Sequence, residues 1–184
     1  MPRTRRRPGE PVTVPFTILI DQQEKAPFNF HGLLADADQQ HRPLIVPTQR
    51  VHLKTGDYSI AGLQTDVTVE RKSLADLYGT LGQGLERFRR EHERMAEMKR
   101  AIVIVEASWY KTIFSPPTHS KLPPKTVFRV AAKWYGRYGI PWYFMGSRRL
   151  AEIFTFRFLS GYWEINCNGD IERTTNGSDA KDDF

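Results

Sequence analysis

Gly56-Asp57-Tyr58-Ser59-Ile60-Ala61-Gly62-Leu63-Gln64-Thr65-Asp66-Val67-Thr68-Val69-Glu70-Arg71-Lys72-Ser73-Leu74-Ala75-Asp76 is the stretch on which the reading of this chain turns. Val67, Val69 and Arg71 alternate in it with Thr68, Glu70 and Lys72, which is a strand pattern. Side chains two apart on a strand share a face, so Glu70 and Lys72 point one way and Arg71 the other. Asp57 follows a glycine that lets the chain turn, on what reads as a neighbouring strand. Ser73 reads as a helix N-cap, which puts Asp76 in the first helical turn. One short segment therefore offers an acid from one strand, an acid and an amine from the next, and a further acid beyond it.

Such a set suits phosphodiester hydrolysis assisted by a divalent cation. Mg²⁺ takes oxygen ligands in near-octahedral geometry, usually one or two carboxylates completed by water and substrate phosphate. Asp57 and Glu70 can supply those carboxylates, and the cation would polarise the phosphate and acidify a bound water. Lys72, on the face of Glu70, can orient the water or balance charge developing on the phosphate oxygens. Arg71 faces away and can anchor either a phosphate or an internal carboxylate through its planar fork.

Gly56-Asp57 followed by Glu70-Arg71-Lys72 and Asp76 resembles the GD…ERKxxxD signature of the XPF-type structure-specific endonucleases, restriction-endonuclease-like nucleases with a PD-(D/E)xK-type core. A lone E-x-K is a weak signal; the whole signature in order, behind an upstream strand ending at Asp21, is a strong one. The resemblance runs from Phe16 to Trp163. It implies an α/β chain folded as an α/β/α sandwich with a central mixed sheet. It also implies a DNA endonuclease that uses Mg²⁺ or Mn²⁺ to cut branched, flapped or distorted DNA. Carried over position by position, Asp57 and Glu70 become metal ligands and Lys72 the catalytic amine, with Asp21, Arg71 and Asp76 in support. The segment Asp21-Gln22-Gln23-Glu24 departs from the family's D-x-R-E, because Gln23 stands where an Arg is expected.

Working outward, the formal net charge is +6, from 27 basic and 21 acidic residues. Residues 1–15 carry four Arg against one Glu, and residues 166–184 carry two basic against five acidic residues, so these ends cancel. The positive excess sits in the folded middle, where it favours a polyanion. Cys167 is the single cysteine, which excludes an internal disulfide and a cysteine-rich zinc site. No apolar run reaches membrane-spanning length. The Arg-rich start and the apolar segment after it are broken by Pro15, lack a small-residue cleavage site and end in Asp21, so they do not read as a signal peptide. An intracellular, soluble protein is the expectation.

Residues 1–15 read as a disordered basic tail, 16–165 as the nuclease domain and 166–184 as an acidic polar tail. Phe16–Ile20 reads as a buried strand. Residues 27–42 read as a loop with a modest helix built on Leu33 and Leu34. Apolar residues recur at helical spacing from Leu74 to Phe88, broken by Gly82-Gln83-Gly84, so two helices with a hinge are expected. The second carries Arg87, Arg89, Arg90 and Arg94 interleaved with Glu86, Glu91, Glu93 and Glu97. That reads as a solvated face of ion pairs, with Arg87, Arg90 and Arg71 the candidates for touching DNA. Ala101–Val105 is an uninterrupted apolar run, the mark of a central strand covered on both faces. A short helix over Trp109–Phe114, a Pro-rich loop, a helix over Thr126–Tyr138, a strand at Pro141–Met145 and a last helix capped by Ser147 follow.

The late segment is rich in aromatics, and the related family dimerises through it. A homodimer through the late aromatic helices is expected, with Phe158 and Trp163 as candidate contacts, or else a separate partner subunit. Family members usually continue into helix-hairpin-helix modules; residues 164–184 are too few for them, which makes a free-standing nuclease core the expectation. Two alternatives stay open on sequence alone: a non-catalytic DNA-binding scaffold of the same fold, and a nuclease acting on RNA or single-stranded DNA.

Overall fold

The computed structural model describes residues 9–36 and 41–168. Eight strands are β1 (Val12–Thr13), β2 (Ile18–Asp21), β3 (Leu44–Ile45), β4 (Thr48–Val51), β5 (Tyr58–Ile60), β6 (Val67–Lys72), β7 (Arg100–Val105) and β8 (Trp142–Phe144). The helices are α1 (Leu74–Gly82), α2 (Leu85–Ala96), α3 (Trp109–Phe114), α4 (Pro124–Tyr138) and α5 (Arg148–Trp163). Six strands form one mixed sheet in the order β4-β2-β5-β6-β7-β8. β5 runs antiparallel to both β2 and β6, while β6, β7 and β8 are mutually parallel neighbours.

Alternation along β6 and β7 sorts the core into two layers. Val67, Val69, Ile102 and Ile104 face one side with Ile18, Ile20 and Ile60, where α5 lays down Ala151, Phe156 and Leu159. Val103 and Val105 face the other, under Leu77 and Leu81 of α1, Phe88 and Met95 of α2, and Val127 and Trp134 of α4. The result is the helix–sheet–helix sandwich expected of a restriction-endonuclease-like fold. Glu70 pairs in register with Val103 and Lys72 with Val105, so both belong to the α1–α2–α4 side, while Arg71 belongs to the α5 side.

Helix ends follow local chemistry. Ser73, Ser108 and Ser147 each cap the helix they precede, accepting the N–H of Asp76, Lys111 and Leu150. The hinge between α1 and α2 falls at Gln83-Gly84, and a Cβ on Gly84 would press on the Thr80 backbone at 3.2 Å. Sequence expectations need correction at three places. Among the described residues of 27–36, 41 and 42 there is no helix; Leu33 is buried and Leu34 exposed in irregular chain. Residues 37–40 lie outside the described residues. The folded unit begins before Phe16, since β1 pairs in parallel with β3 and Val14 is buried. It also runs past 165: a π-helical turn continues α5 over Glu164–Asn168. The arginines at 3 and 5–7 and the acids beyond 168 lie outside the described residues.

Candidate active site

β6 enters the sheet with three apolar or hydroxyl side chains and ends with three charged ones, Glu70, Arg71 and Lys72, where it passes into α1. The turn before β5 brings Asp57 to this end. Gly56 makes that turn with φ +71°, and a Cβ there would collide with the Thr68 hydroxyl, so only glycine fits. The turn is pinned from three sides. Asp57 donates its N–H to the Val69 carbonyl at 2.9 Å and accepts the Asp21 N–H on its own carbonyl at 2.9 Å. Asp57 Oδ2 accepts the Arg71 N–H at 2.7 Å, and Gly56 donates its N–H to Glu91 Oε1 of α2 at 2.9 Å.

The result is an open cleft of about 810 Å³ between this sheet end and α2. Asp57, Glu70 and Lys72 share it with Asp21, Arg87 and Glu91. Lys72 Nζ donates to Glu70 Oε1 at 2.5 Å and lies 4.9 Å from the centre of the Phe88 ring. Burial raises the Asp57 carboxyl well above the usual carboxylate range, and the neighbouring Glu70 raises it further, against the pull of Lys72. Glu70 is raised as well, first by burial, with Lys72 opposing. Burial alone would lower Lys72, but Glu70 and Asp57 together raise it. One ammonium thus serves two crowded carboxylates.

That imbalance fits a divalent cation. Both acids are held where their charge is disfavoured, and an added cation is what would relieve them. Among the described residues no group of three or more His, Cys, Asp and Glu side chains is arranged to hold a metal. Asp57 and Glu70 are two carboxylates, a number that a Mg²⁺ would complete with water and substrate phosphate.

The other sequence candidates lie around this centre in different roles. Asp21 sits on the cleft rim with both oxygens engaged by backbone: Oδ1 accepts the Leu53 N–H at 2.9 Å and Oδ2 the Gln23 N–H at 3.0 Å. Asp76 is on the first turn of α1, its Oδ2 accepting the Ser73 hydroxyl at 2.5 Å, and it shares a neighbouring depression with Lys72 and Arg87 rather than the cleft itself. Arg87 and Arg90 are exposed on α2; Arg87 lines the cleft and Arg90 does not.

Arg71 is the clear correction. Of the two partners open to it from the sequence, a phosphate or an internal carboxylate, the structure places the second. Its Nε donates to Glu106 Oε1 at 2.8 Å and its Nη1 to Glu24 Oε2 at 3.1 Å, and it is buried on the α5 side of β6. Arg148 of α5 joins Glu106 at 2.7 Å, and both guanidinium groups lie over the Phe28 ring. Arg71 is therefore removed from the candidates for touching DNA, and Glu24 is its partner. Glu91 is the residue that sequence reasoning missed. Among the α2 acids it reads as one more solvated charge, yet it is half-buried in the cleft wall, paired with Arg94 and holding the Gly56 turn. Only its place on the helix face turned to the sheet, four residues after Arg87 and three after Phe88, sets it apart.

A family profile described as ERCC4 domain matches residues 20–156. Among solved structures the chain is similar to XPF from Aeropyrum pernix, at 17% identity and a TM-score of 0.56, covering 85% of this chain and 69% of that one. It is also similar to XPF from Aeropyrum pernix in complex with DNA, at 19% identity and a TM-score of 0.50, covering 77% of this chain and 66% of that one. A search of curated protein sequences finds no match. The structural likeness speaks for the fold, and the profile, which spans β2 through the middle of α5, speaks for descent. The chain belongs to the ERCC4 domain family, a family of DNA structure-specific nucleases.

Proposed function

We propose that this protein is a Mg²⁺- or Mn²⁺-dependent DNA endonuclease that hydrolyses phosphodiester bonds in branched, flapped or distorted DNA. The observation that carries the reading is the Asp57–Glu70 pair, crowded beside a single ammonium in an open cleft on the family's signature strand. Asp57 and Glu70 would hold the cation, which when bound polarises the scissile phosphate and acidifies water. Lys72 is braced by Glu70 at 2.5 Å and by the Phe88 ring, so its ammonium stands fixed beside the place a phosphate would occupy. There it orients the attacking water and offsets charge on the phosphate oxygens. Water oxygen forms the new bond to phosphorus as the ester P–O bond breaks, leaving one phosphate end and one hydroxyl end. Arg87 on the cleft wall receives the DNA backbone, with Arg90 beyond it. Asp21 and Glu91 act through the backbone: the first ties down Leu53 and Gln23, the second the Gly56 turn.

The described residues make one nuclease unit, and no helix among them is long and apolar enough to cross a membrane. For self-association the candidate contacts shift. Trp163 stacks on Phe16 at 5.7 Å and Phe158 is half-buried, so both serve the core. Tyr135, Tyr143 and Leu150 are exposed on α4, β8 and α5, and β8 is an edge strand of the sheet among the described residues. A homodimer would form there, and light scattering across micromolar concentrations tests it.

The function is tested with flap, fork, four-way-junction, duplex and single-stranded DNA, each with and without chelator. Cleavage should require the metal and favour the branched substrates. In Lys72→Ala turnover at saturating DNA should fall about 10²–10³-fold. Cleavage that persists in chelator, or a Lys72→Ala loss confined to affinity, overturns the assignment.

A further inference from the structure

Between Glu106 and Glu152 the chain contains no Asp or Glu, yet it holds eight of the protein's 27 basic residues. Arg148 and Arg149 of that set are neutralised by Glu106 and Glu152. Lys111, Lys121, Lys125, Arg129, Lys133 and Arg137 are exposed and form no ion pair among the described residues. They lie on α3, on α4 and on the Pro-rich loop between them.

Aromatic rings share this surface. Tyr110 is 72% exposed and Phe114, one turn along α3, 69% exposed, with their ring centres 4.8 Å apart. Trp109 beside them stacks on Phe128 of α4 at 4.5 Å, and Phe128 is itself 45% exposed. Lys125 lies three residues before Phe128 on α4, one turn away on the same face, and Arg129 is the i+4 neighbour of Lys125. A cluster of large rings exposed together in this way marks an interaction surface more often than a bare one. Opposite charge decides the kind of ligand: a lysine- and arginine-rich face built from an acid-free stretch, with exposed rings, matches a polyanion that also offers flat apolar surfaces. Duplex DNA hides its bases; an unpaired strand presents both phosphates and bases.

The face is also built at a fixed relation to the cleft. Glu106 donates its N–H to the Lys72 carbonyl at 3.0 Å, and α3 begins three residues later behind its Ser108 cap. The Tyr78 hydroxyl of α1 donates to the Thr112 carbonyl of α3 at 2.5 Å, bolting the helix that follows Lys72 to the helix that carries Tyr110 and Phe114.

We propose that the α3–α4 face is a binding surface for an unpaired DNA strand, which stacks bases on Tyr110 and Phe114 and sets its phosphates against Lys125 and Arg129. It builds on the DNA-acting reading above and gives that reading its preference for junctions of paired and unpaired DNA. The test reads binding rather than cleavage, so the two stand or fall separately. Fluorescence anisotropy of an oligothymidylate of about 16 nucleotides, in chelator, is compared with a duplex and an oligouridylate. Tyr110→Ala and Phe114→Ala should each weaken oligothymidylate binding about fivefold or more, because stacking on each exposed ring is lost. Tyr110→Phe, which keeps the ring, should bind as the wild type does. Lys125→Ala combined with Arg129→Ala should make the logarithmic salt dependence shallower by about 1.4, two phosphates' worth on a single strand. Unchanged oligothymidylate affinity in the ring variants overturns the proposal, as does tighter binding of oligouridylate. A change of oligomeric state in Phe114→Ala with affinity unaltered would reassign the face to protein contact and overturn it too. Weaker strand binding in the variants of a protein that cuts no DNA would uphold this surface while removing the nuclease reading.

Discussion

Glu70 and Lys72 on one side of β6 and Arg71 on the other are neighbours in sequence and opposites in environment. On the α5 side the charges are closed: Arg71 meets Glu24 and Glu106, Glu106 also meets Arg148, and Phe28 lies beneath both guanidinium groups. On the cleft side they are left open: two carboxylates, both raised by burial, share one lysine. The closed side binds the ends of β2, β6, β7 and α5 together, and this leaves the cleft side free to hold charges that would otherwise loosen the fold. Period-two alternation is what allows one tripeptide to do both.

If this division is right, substitutions on the two sides fail in different ways. The largest effect belongs to the open side. Asp57→Asn or Glu70→Gln should lower cleavage by about 10³-fold or more, because a cation held by fewer charged oxygens neither stays nor activates water. The same variants, measured in chelator, should unfold at a temperature equal to or above the wild type, since a disfavoured buried charge has been removed. Activity within tenfold of wild type, or a clear drop in unfolding temperature, would erase the contrast between the sides.

Next comes the closed side, where the cost should fall on stability. Arg71→Ala leaves Glu24 buried without its partner, and breaking a buried pair in this way costs about 3–5 kcal/mol. Urea unfolding should show that loss, and Arg71→Lys should recover only part of it, because an ammonium cannot bridge two carboxylates as the planar fork does. An Arg71→Ala protein of normal stability that binds DNA poorly would restore Arg71 to the phosphate contacts from which its burial removes it.

These two sides also mark how far the sequence could be read. Strand alternation was enough to put Glu70 and Lys72 on one face of β6 and Arg71 on the other, and the unbroken apolar run at Ala101–Val105 was enough to place an inner strand of the sheet. Capping serines set the starts of α1, α3 and α5. What escaped depends on partners remote in the chain. Arg71 and Glu106 are 35 residues apart, as are Gly56 and Glu91, and nothing local tells a structural carboxylate from a solvated one. The helix expected at Leu33 and Leu34 failed for a related reason. Phe28 and Phe30 are drawn into the core against Tyr58, and their N–H groups go to the Tyr58 hydroxyl and to Glu152 of α5 rather than to a helical ladder.

The floor of the open side offers a third contrast, through pH. His92 of α2 is buried among Phe88, Trp134 and Trp142, accepts the Trp142 indole N–H on Nε2 at 3.0 Å and has Nδ1 3.0 Å from the Phe88 carbonyl. Burial lowers its pKa from 6.5 to about 4. The folded protein therefore keeps the imidazole neutral while the unfolded chain takes up a proton, so stability falls as pH drops from 6.5 toward 4 and levels off below. The full loss is up to about 3 kcal/mol. His92→Gln, which still offers the Trp142 N–H an acceptor, should flatten that part of the stability–pH curve; an identical curve would mean that other groups govern the acid response.

The smallest effect separates arginines on one helix, and it asks whether the open side is a site or merely a positive surface. Arg89 is paired with Glu86 and Glu93, and Arg94 with Glu91. Arg87 and Arg90 form no ion pair among the described residues, and Arg87 alone of these two lines the cleft. A phosphate contact releases one condensed counterion, so its loss should reduce the logarithmic salt dependence of duplex binding by about 0.9. Arg87→Ala should show that full reduction, together with an affinity loss of about tenfold or less. Arg90→Ala should show a smaller change, because its position on the helix is one step around from the cleft wall. Arg89→Ala should show none, since removing it frees two glutamates already balanced in solvent and surface pairs are worth little. Salt titrations of binding in chelator, run on the three variants in parallel, give the ranking directly. Equal slopes for all three would mean that DNA answers only to the summed charge of α2. A graded series would mean that the backbone is tracked from the cleft wall outward, with Arg87 its first contact beyond Lys72.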